Sequence, residues 1–407
     1  MTTSGESDVD KVRRLRAQLP ATAATGYFNA GTNGPLPKPV YDVMVAAAER
    51  ELTAGRIVPG VYEGHAQRND RIRELLAELF GGKPHEFAIT RSTTEGLNIA
   101  LNGITWHPRD EIVTTTLEHP GLMVPLSVVA HGADVTIRVA DIGDGSGDVV
   151  AEVERLMSSR TRLVALSHVL WSSGAIAPLR EIAAMAERYG AMVIVDAAQS
   201  AGQVPINLEE SGVAVYAMAG QKWLCGPEGT GALYVRESRF ADIGPTHVRY
   251  AQSDVSGYIL PAPGARRYEM GEAYAPSILG MEATLLWLRD EVGFDWLYRR
   301  IAALADRFLY GLSQTPGVTV HSPKGKIGGL VCFNVEGLAP IDVAAALYER
   351  GQTIRYVAYP PGPEVARASV GWWNTEEEVD GLVADIGALE RSGPTRAQPA
   401  DAELVAG

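Results

Sequence analysis

Residues 193–235 read VIVDAAQSAGQVPINLEESGVAVYAMAGQKWLCGPEGTGALYV. The run Ala191–Val195 has no polar alternation, the pattern of a central strand buried on both faces of a parallel sheet. It leads into Asp196, and in open α/β sheets ligands bind outside the carboxyl ends of the strands. A second apolar run, Val213–Met218, leads into the turn AGQKW, which carries Lys222. The Gly-rich stretch CGPEGTG then returns the chain into a third run, Thr230–Val235. A lysine in such a turn is either a solvated surface residue or a nucleophile, and the rest of the chain has to decide between them.

Outward from this segment the same pattern repeats. Short apolar runs at Glu86–Thr90, Glu111–Thr115, Asp134–Val139 and Arg162–Ser167 alternate with helical stretches at Thr94–Gly103, Leu122–His131, Val149–Ser158 and Leu179–Gly190. Strand–helix alternation predicts an α/β fold with a mostly parallel seven-stranded sheet covered on both faces. Upstream, Tyr27–Pro37 is a turn rich in Gly, Asn and Pro, followed by helices at Val40–Leu52 and Gln67–Phe80, the second stopped by Gly81 and Gly82. Downstream, Arg249–Tyr268 reads as a long ordered loop. Helices at Ile278–Val292 and Trp296–Gln314 follow, and then short strands (Gly317–His321, Leu330–Val335, Thr353–Tyr356, Arg367–Gly371) mixed with helices (Ile341–Arg350, Thr375–Glu390). The expected organisation is an N-terminal segment 1–35, a large domain 36–275, a smaller C-terminal α+β domain 276–391 and a flexible tail 392–407.

Length and composition fit that division. The chain has 407 residues, more than the roughly 250–300 at which single cores stop growing. Lys plus Arg number 36 against 49 Asp plus Glu, a net charge of −13. That balance argues against the cationic footprint of a nucleic-acid binder and against docking on anionic lipid. It leaves a small anionic substrate open, because one local arginine overrides the global field. Two cysteines, Cys225 and Cys332, do not make a disulfide scaffold and point to the cytoplasm. No C-x-x-C or H-E-x-x-H spacing suggests zinc. No apolar run approaches the roughly 18–20 residues of a membrane span, and Met1–Pro20 lacks the apolar stretch of a signal peptide.

Four further features bear on Lys222. Thr93 and Thr94 follow a strand and open a helix, where free N–H groups and hydroxyls cradle a phosphate, although the same pattern serves as a plain threonine cap. His119, in TTTLEHPG, lies just past another strand, where a lone histidine is usually structural. Arg367 opens the late strand of RASVGWWNTEEEVD, where it could be a simple ion-pair partner. With Asp196 and Lys222 these make the parts that pyridoxal 5'-phosphate needs. Lysine forms a Schiff base with the aldehyde. An acid keeps the ring nitrogen protonated, so the ring acts as an electron sink. A late arginine takes an amino-acid carboxylate by a bidentate fork.

The chain resembles the class V aminotransferase/cysteine desulfurase family of fold-type I pyridoxal-phosphate enzymes, and within it the cysteine/cystine C–S lyases. The matching stretches are YFNAGTNGPLP (27–37), TRSTTEGLN (90–98), LEHPG (117–121), LVALSHVLWSSGAIAPL (163–179), VIVDAAQSAGQVP (193–205), GQKWLCGPEGTGALYV (220–235), RRYEMG (266–271), GGLVCFNV (328–335) and RASVGWWNTEEEVD (367–380). The resemblance implies that Lys222 is the Schiff-base lysine and Asp196 the partner of the ring nitrogen. It implies that Gln199 bonds the phenolic oxygen, His119 stacks on the ring and Thr93 and Thr94 hold the phosphate. Arg367 corresponds to the carboxylate-binding arginine. Asn29, Thr32 and Asn33 match the turn at the substrate entrance, with a purely structural turn equally open for each. Trp171 stands where desulfurases have an asparagine, with a plain core role equally open. The resemblance also implies a homodimer whose site is completed by the partner chain near Glu272.

The departures matter as much. Desulfurases carry a reactive cysteine in the loop before the late arginine; here that loop, IRYVAYPPGPEVA (354–366), has none. The family's Ser/Thr-Gly-His-Lys is Ala219-Gly220-Gln221-Lys222 here. Glu272 falls where the family often offers a phosphate-binding threonine from the neighbouring subunit; either the correspondence slips at this position, or Glu272 points away and pairs with an arginine such as Arg266. The resemblance implies a β-eliminating C–S lyase of cysteine, cystine or an S-substituted cysteine. Two alternatives stand beside it. One is a decarboxylating oxidative deaminase or epimerase of an S-cysteinyl natural-product intermediate, as in lincosamide antibiotic assembly. The other is a non-catalytic binding protein on the same fold.

Overall fold

The fold is described from a computed structural model for residues 6–247, 262–271, 273–358 and 362–389. After a short strand β1 (Gly26–Tyr27), strands β2 (Phe87–Thr90), β3 (Glu111–Thr115), β4 (Thr136–Ala140), β5 (Thr161–Ser167), β6 (Met192–Asp196), β7 (Val215–Ala219) and β8 (Gly231–Val235) follow. β2 to β8 form a seven-stranded sheet in the order β2-β8-β7-β6-β5-β3-β4. β4, β3, β5, β6 and β7 run parallel, and β8 is antiparallel to both of its neighbours. Each of the seven apolar runs read from the sequence is a strand of this sheet. After β4 the chain crosses back over β3 to lay down β5 on its other side. The strand order therefore reverses between β3 and β5, and ligand crevices open at such a switch point.

The apolar runs are strands because both faces are covered. All of β3, β6, β7 and β8 is buried, whereas the edge strand β4 is mostly part-exposed. Alternate residues serve opposite faces, as the two-residue period of a strand requires. Val193, Val195, Tyr216 and Met218 join one core cluster, and Met192, Ile194, Val215 and Ala217 join the other. The helix Ala275–Trp287 packs on helices Lys38–Ala54 and Val61–Phe80 and, with the second of these, covers the first cluster.

A second sheet holds β9 (Val318–Val320), β10 (Leu330–Val335), β12 (Arg355–Ala358) and β13 (Glu364–Ser369) in the order β12-β13-β10-β9, all antiparallel. β11 (Gln352–Thr353) pairs with β1 and ties the N-terminal segment to this sheet. Helices Phe294–Ser313, Pro340–Tyr348 and Glu376–Gly387 bury its core.

Several expectations shift. The stretch read as one helix to Val292 is an α-helix to Trp287 and then a π-helical turn, Leu288–Val292, closed by Gly293 N–H donating to Leu288 O. The late strand begins at Glu364, so Arg367 lies within it rather than at its start. It stops at Ser369 because Asn374 Oδ1 turns the chain by accepting from Gly371 N–H at 2.9 Å. Most of the expected loop 249–268, together with Glu272 and the tail 392–407, lies outside the described residues; Gly264–Tyr268 is a short 3-10 helix.

Candidate active site

Asp196 is the last residue of β6, at the carboxyl edge of the sheet. Its carboxyl is buried, and Oδ1 accepts from Ala198 N–H at 2.9 Å. Burial pushes its pKa up, while the Ala198 hydrogen bond and the Lys222 charge pull it down. Lys222 rides the turn between β7 and β8. That turn is pinned by Gly226 N–H on Gly220 O (2.8 Å), Cys225 N–H on Lys222 O (3.0 Å) and Gly34 N–H on Gln221 O (2.8 Å). Burial lowers the Lys222 amine to about 8; Asp196 opposes this, and Arg367 and Arg355 add to it. A lysine so placed keeps an appreciable free-amine fraction at neutral pH, which an exposed lysine does not.

His119 follows β3 and caps helix Pro120–Ala133, its Nδ1 accepting from Gly121 N–H at 2.9 Å. The neutral ring then carries its proton on Nε2. Burial first, then the charges of Lys222, Arg367 and Arg355, lower it to about 4. The Trp171 ring stands edge-on to it, centroids 4.7 Å apart at 86°. Gln199 is gripped from two sides: Nε2 donates to Gly31 O at 2.9 Å and Oε1 accepts from Trp223 Nε1 at 3.0 Å. The amide nitrogen carries a second N–H besides.

The helix after β2 starts at Thr93, but its cap is Ser92, whose Oγ accepts from Glu95 N–H at 3.1 Å. With that duty met by serine, the Thr93 hydroxyl is buried with no hydrogen-bond partner among the described residues. Thr94 is exposed. Gly231 lets this helix start approach the lysine turn, since a Cβ there would sit 2.6 Å from Met218 O and 3.2 Å from Ser92 N. Ala219 ends β7, and the Gln221 amide oxygen is also buried without a partner.

The opposite wall comes from the small sheet and the Asn29–Asn33 turn. Arg367 is buried and donates to Trp171 O at 3.2 Å. Arg355 stands opposite it in register and donates to Thr32 Oγ1 at 3.1 Å, and that hydroxyl donates to Asn29 Oδ1 at 2.8 Å. Gly31 packs so closely that a Cβ would lie 2.8 Å from Ser369 Oγ and 2.9 Å from Arg367 Nη2. Asn33 turns elsewhere and donates to Glu228 Oε1 at 2.6 Å. Glu272 lies outside the described residues, so its expected pairing with Arg266 is untested; Arg266 lies 3.9 Å from Asp70.

Electrostatics thus couple Lys222 with Asp196, His119, Arg367 and Arg355, and Trp171 contacts both His119 and Arg367. Arg355 was missed in the sequence; an antiparallel pair flanking PPGP, with positions 355 and 367 on one face, was the signal available. Both thiols are buried. Cys332, opposite Arg367 in β10, is pushed up to about 12 by burial, and Cys225 is pushed up by burial as well.

These residues fit pyridoxal phosphate. A lysine with a lowered pKa, a buried acid coupled to it and an orphaned hydroxyl at a helix start are features a self-contained core would not leave. No helix among the described residues is long and apolar enough to cross a membrane.

Comparison with known proteins agrees. The aminotransferase class-V family matches residues 27–382. A probable cysteine desulfurase of Halalkalibacterium halodurans is 30% identical over 351 residues, which are 82% of this chain and 83% of that protein. Among solved structures, the complex of the cystine C–S lyase C-DES with its reaction product cysteine persulfide is 31% identical, with a TM-score of 0.87, covering 93% of this chain and 100% of that one. A lysine-to-alanine mutant of C-DES with glycine covalently linked to its PLP cofactor also has a TM-score of 0.87, at 30% identity, covering 92% of this chain and 99% of that one.

Proposed function

We propose, for a chain that belongs to the aminotransferase class-V family, a pyridoxal-phosphate-dependent carbon–sulfur lyase. It acts by β-elimination on cysteine, cystine or an S-substituted cysteine and yields a thiol or persulfide, pyruvate and ammonia. The observation that carries this reading is the Lys222 amine, lowered to about 8 and coupled to buried Asp196, in a site whose loop 354–366 has no cysteine.

Thr93, Thr94 and Gln221 would hold the cofactor phosphate, His119 would lie against the ring, Asp196 and Gln199 would bond its edge, and Lys222 would take its aldehyde. Pyridoxal phosphate supplies that aldehyde and a ring that accepts the electron pair released at Cα. Arg367 binds the substrate carboxylate as a fork, with Arg355 beside it and Trp171 fixing its angle. The Lys222 amine removes the Cα proton, which its lowered pKa permits near neutral pH. Asp196, buried and coupled to that charge, would set its carboxyl against the ring edge in a dry environment, where electrostatic interactions act most strongly. Asn29 and Thr32 line the entrance through the Arg355 contact.

The protein acts as a homodimer in the cytoplasm on this reading. Leu52 (85% exposed), Ile57 (68%), Tyr62 (58%) and Tyr274 (59%) support a covered surface near residue 272, since such apolar groups clustered in one region mark interfaces.

The test is product analysis with a panel of S-alkyl cysteines. Pyruvate and free thiol in equal amounts are expected; neither product with any of them overturns the proposal.

A further inference from the structure

Glu118 lies in the turn between β3 and the helix capped by His119, and it is buried. Its carboxyl joins the two strands that bracket the switch point. Oε1 accepts from Thr115 Oγ1 at 2.7 Å, at the end of β3. Oε2 accepts from Ser167 N–H at 2.9 Å and Ser167 Oγ at 2.5 Å, at the end of β5. Ser167 is the register partner of Asp196. One side chain thus links the strand that delivers His119 to the strand beside Asp196.

All three donors are neutral. Burial raises Glu118 to about 7; the Ser167 and Thr115 hydrogen bonds pull it down and the Asp196 charge pushes it further up. The charge that acts on it is that of Asp196 from β6, itself coupled to Lys222 from the turn after β7; the histidines next to it and to its partner in the chain are His119 and His168. Both histidines are lowered to about 4 and are neutral near pH 7. Two carboxyls this close in a dry site do not both ionise cheaply.

We propose that Glu118 is a positioning residue that braces the His119 turn against the ends of β3 and β5 and sets the charge beside Asp196. Its ionisation as pH rises through about 7 places a further negative charge beside the ring-facing acid. This rests on the cofactor assignment above, though not on the reaction assigned to it.

The test follows the absorption of bound pyridoxal phosphate from pH 5.5 to 9 in the full-length holoprotein, with melting temperature measured alongside. The wild type is expected to show a step near pH 7 besides the one set by Lys222. Glu118→Gln, which keeps the shape and most hydrogen bonds, should lose that step alone. Ser167→Ala, which removes one hydrogen bond to the carboxylate, should move it up by about one pH unit and serves if the first variant folds poorly. Superimposable titrations of wild type and both variants would overturn the inference, whatever happens to their melting temperatures. Protein that acquires no cofactor band would overturn the cofactor assignment itself.

Discussion

Arg355 and Arg367 stand opposite each other in register on β12 and β13. Directly opposed residues of an antiparallel pair project from the same face, and both charges lower the pKa of Lys222. Two like charges so placed are unfavourable to each other, which suits the proposed role of this wall in receiving an anionic carboxylate.

Removing either charge should raise Lys222 from about 8 toward its ordinary 10.5. In Arg355→Ala and Arg367→Ala, the rate of cofactor uptake by the apoprotein, plotted against pH, should have its midpoint displaced upward. Arg367→Ala should in addition raise KM about tenfold or more, the value of a charge-assisted hydrogen bond. An unmoved midpoint in both would show that the arginines do not act on the lysine.

With Lys222 as the proposed base, Lys222→Ala should lower kcat by about 10²–10⁴-fold. Pyruvate release measures this, and the cofactor spectrum shows whether the variant still binds it.

Trp223→Phe deletes the indole N–H that meets Gln199 Oε1. A buried acceptor left unpaired costs about 1–3 kcal/mol, to be seen in denaturant unfolding. Because Gln199 also holds Gly31 O, cofactor affinity should fall as well.

His168 is buried and lowered to about 4, with burial the cause, and its Nδ1 lies 2.9 Å from Tyr216 Oη. A lowered folded pKa means fewer protons bound in the folded state than in the unfolded one. Its contribution to stability is present above pH 6.5 and lost as pH falls through 4. Glu118, raised to about 7, works the other way, its contribution being present below 4.5 and lost as pH rises through 7. His168→Gln should therefore flatten the decline of melting temperature between pH 6.5 and 4 relative to wild type, and parallel declines would contradict this.

The sheet was legible because its strands are buried on both faces and carry uninterrupted apolar runs, as in Met192–Val195. Asp196 and Lys222 could be read because each sits where such a run stops. Arg355 could not, since its place depends on the pairing of β12 with β13 across a proline-rich connection. Glu118 was quoted only as part of a motif, because its partners Thr115 and Ser167 lie on strands that meet only in the fold. Ser92 was passed over because three hydroxyl residues in a row, Ser92 to Thr94, offer equivalent caps until one side chain turns back on Glu95.

The fate of the substrate sulfur tests the central claim most directly. Mass spectrometry of the products from cystine and from S-alkyl cysteines, run on wild type and on a Cys225→Ala, Cys332→Ala double variant, should find pyruvate with a thiol or persulfide in solution. The double variant should retain that activity. Alanine with sulfur carried on the protein, or carbon dioxide with an aldehyde that retains the sulfur, would contradict the account.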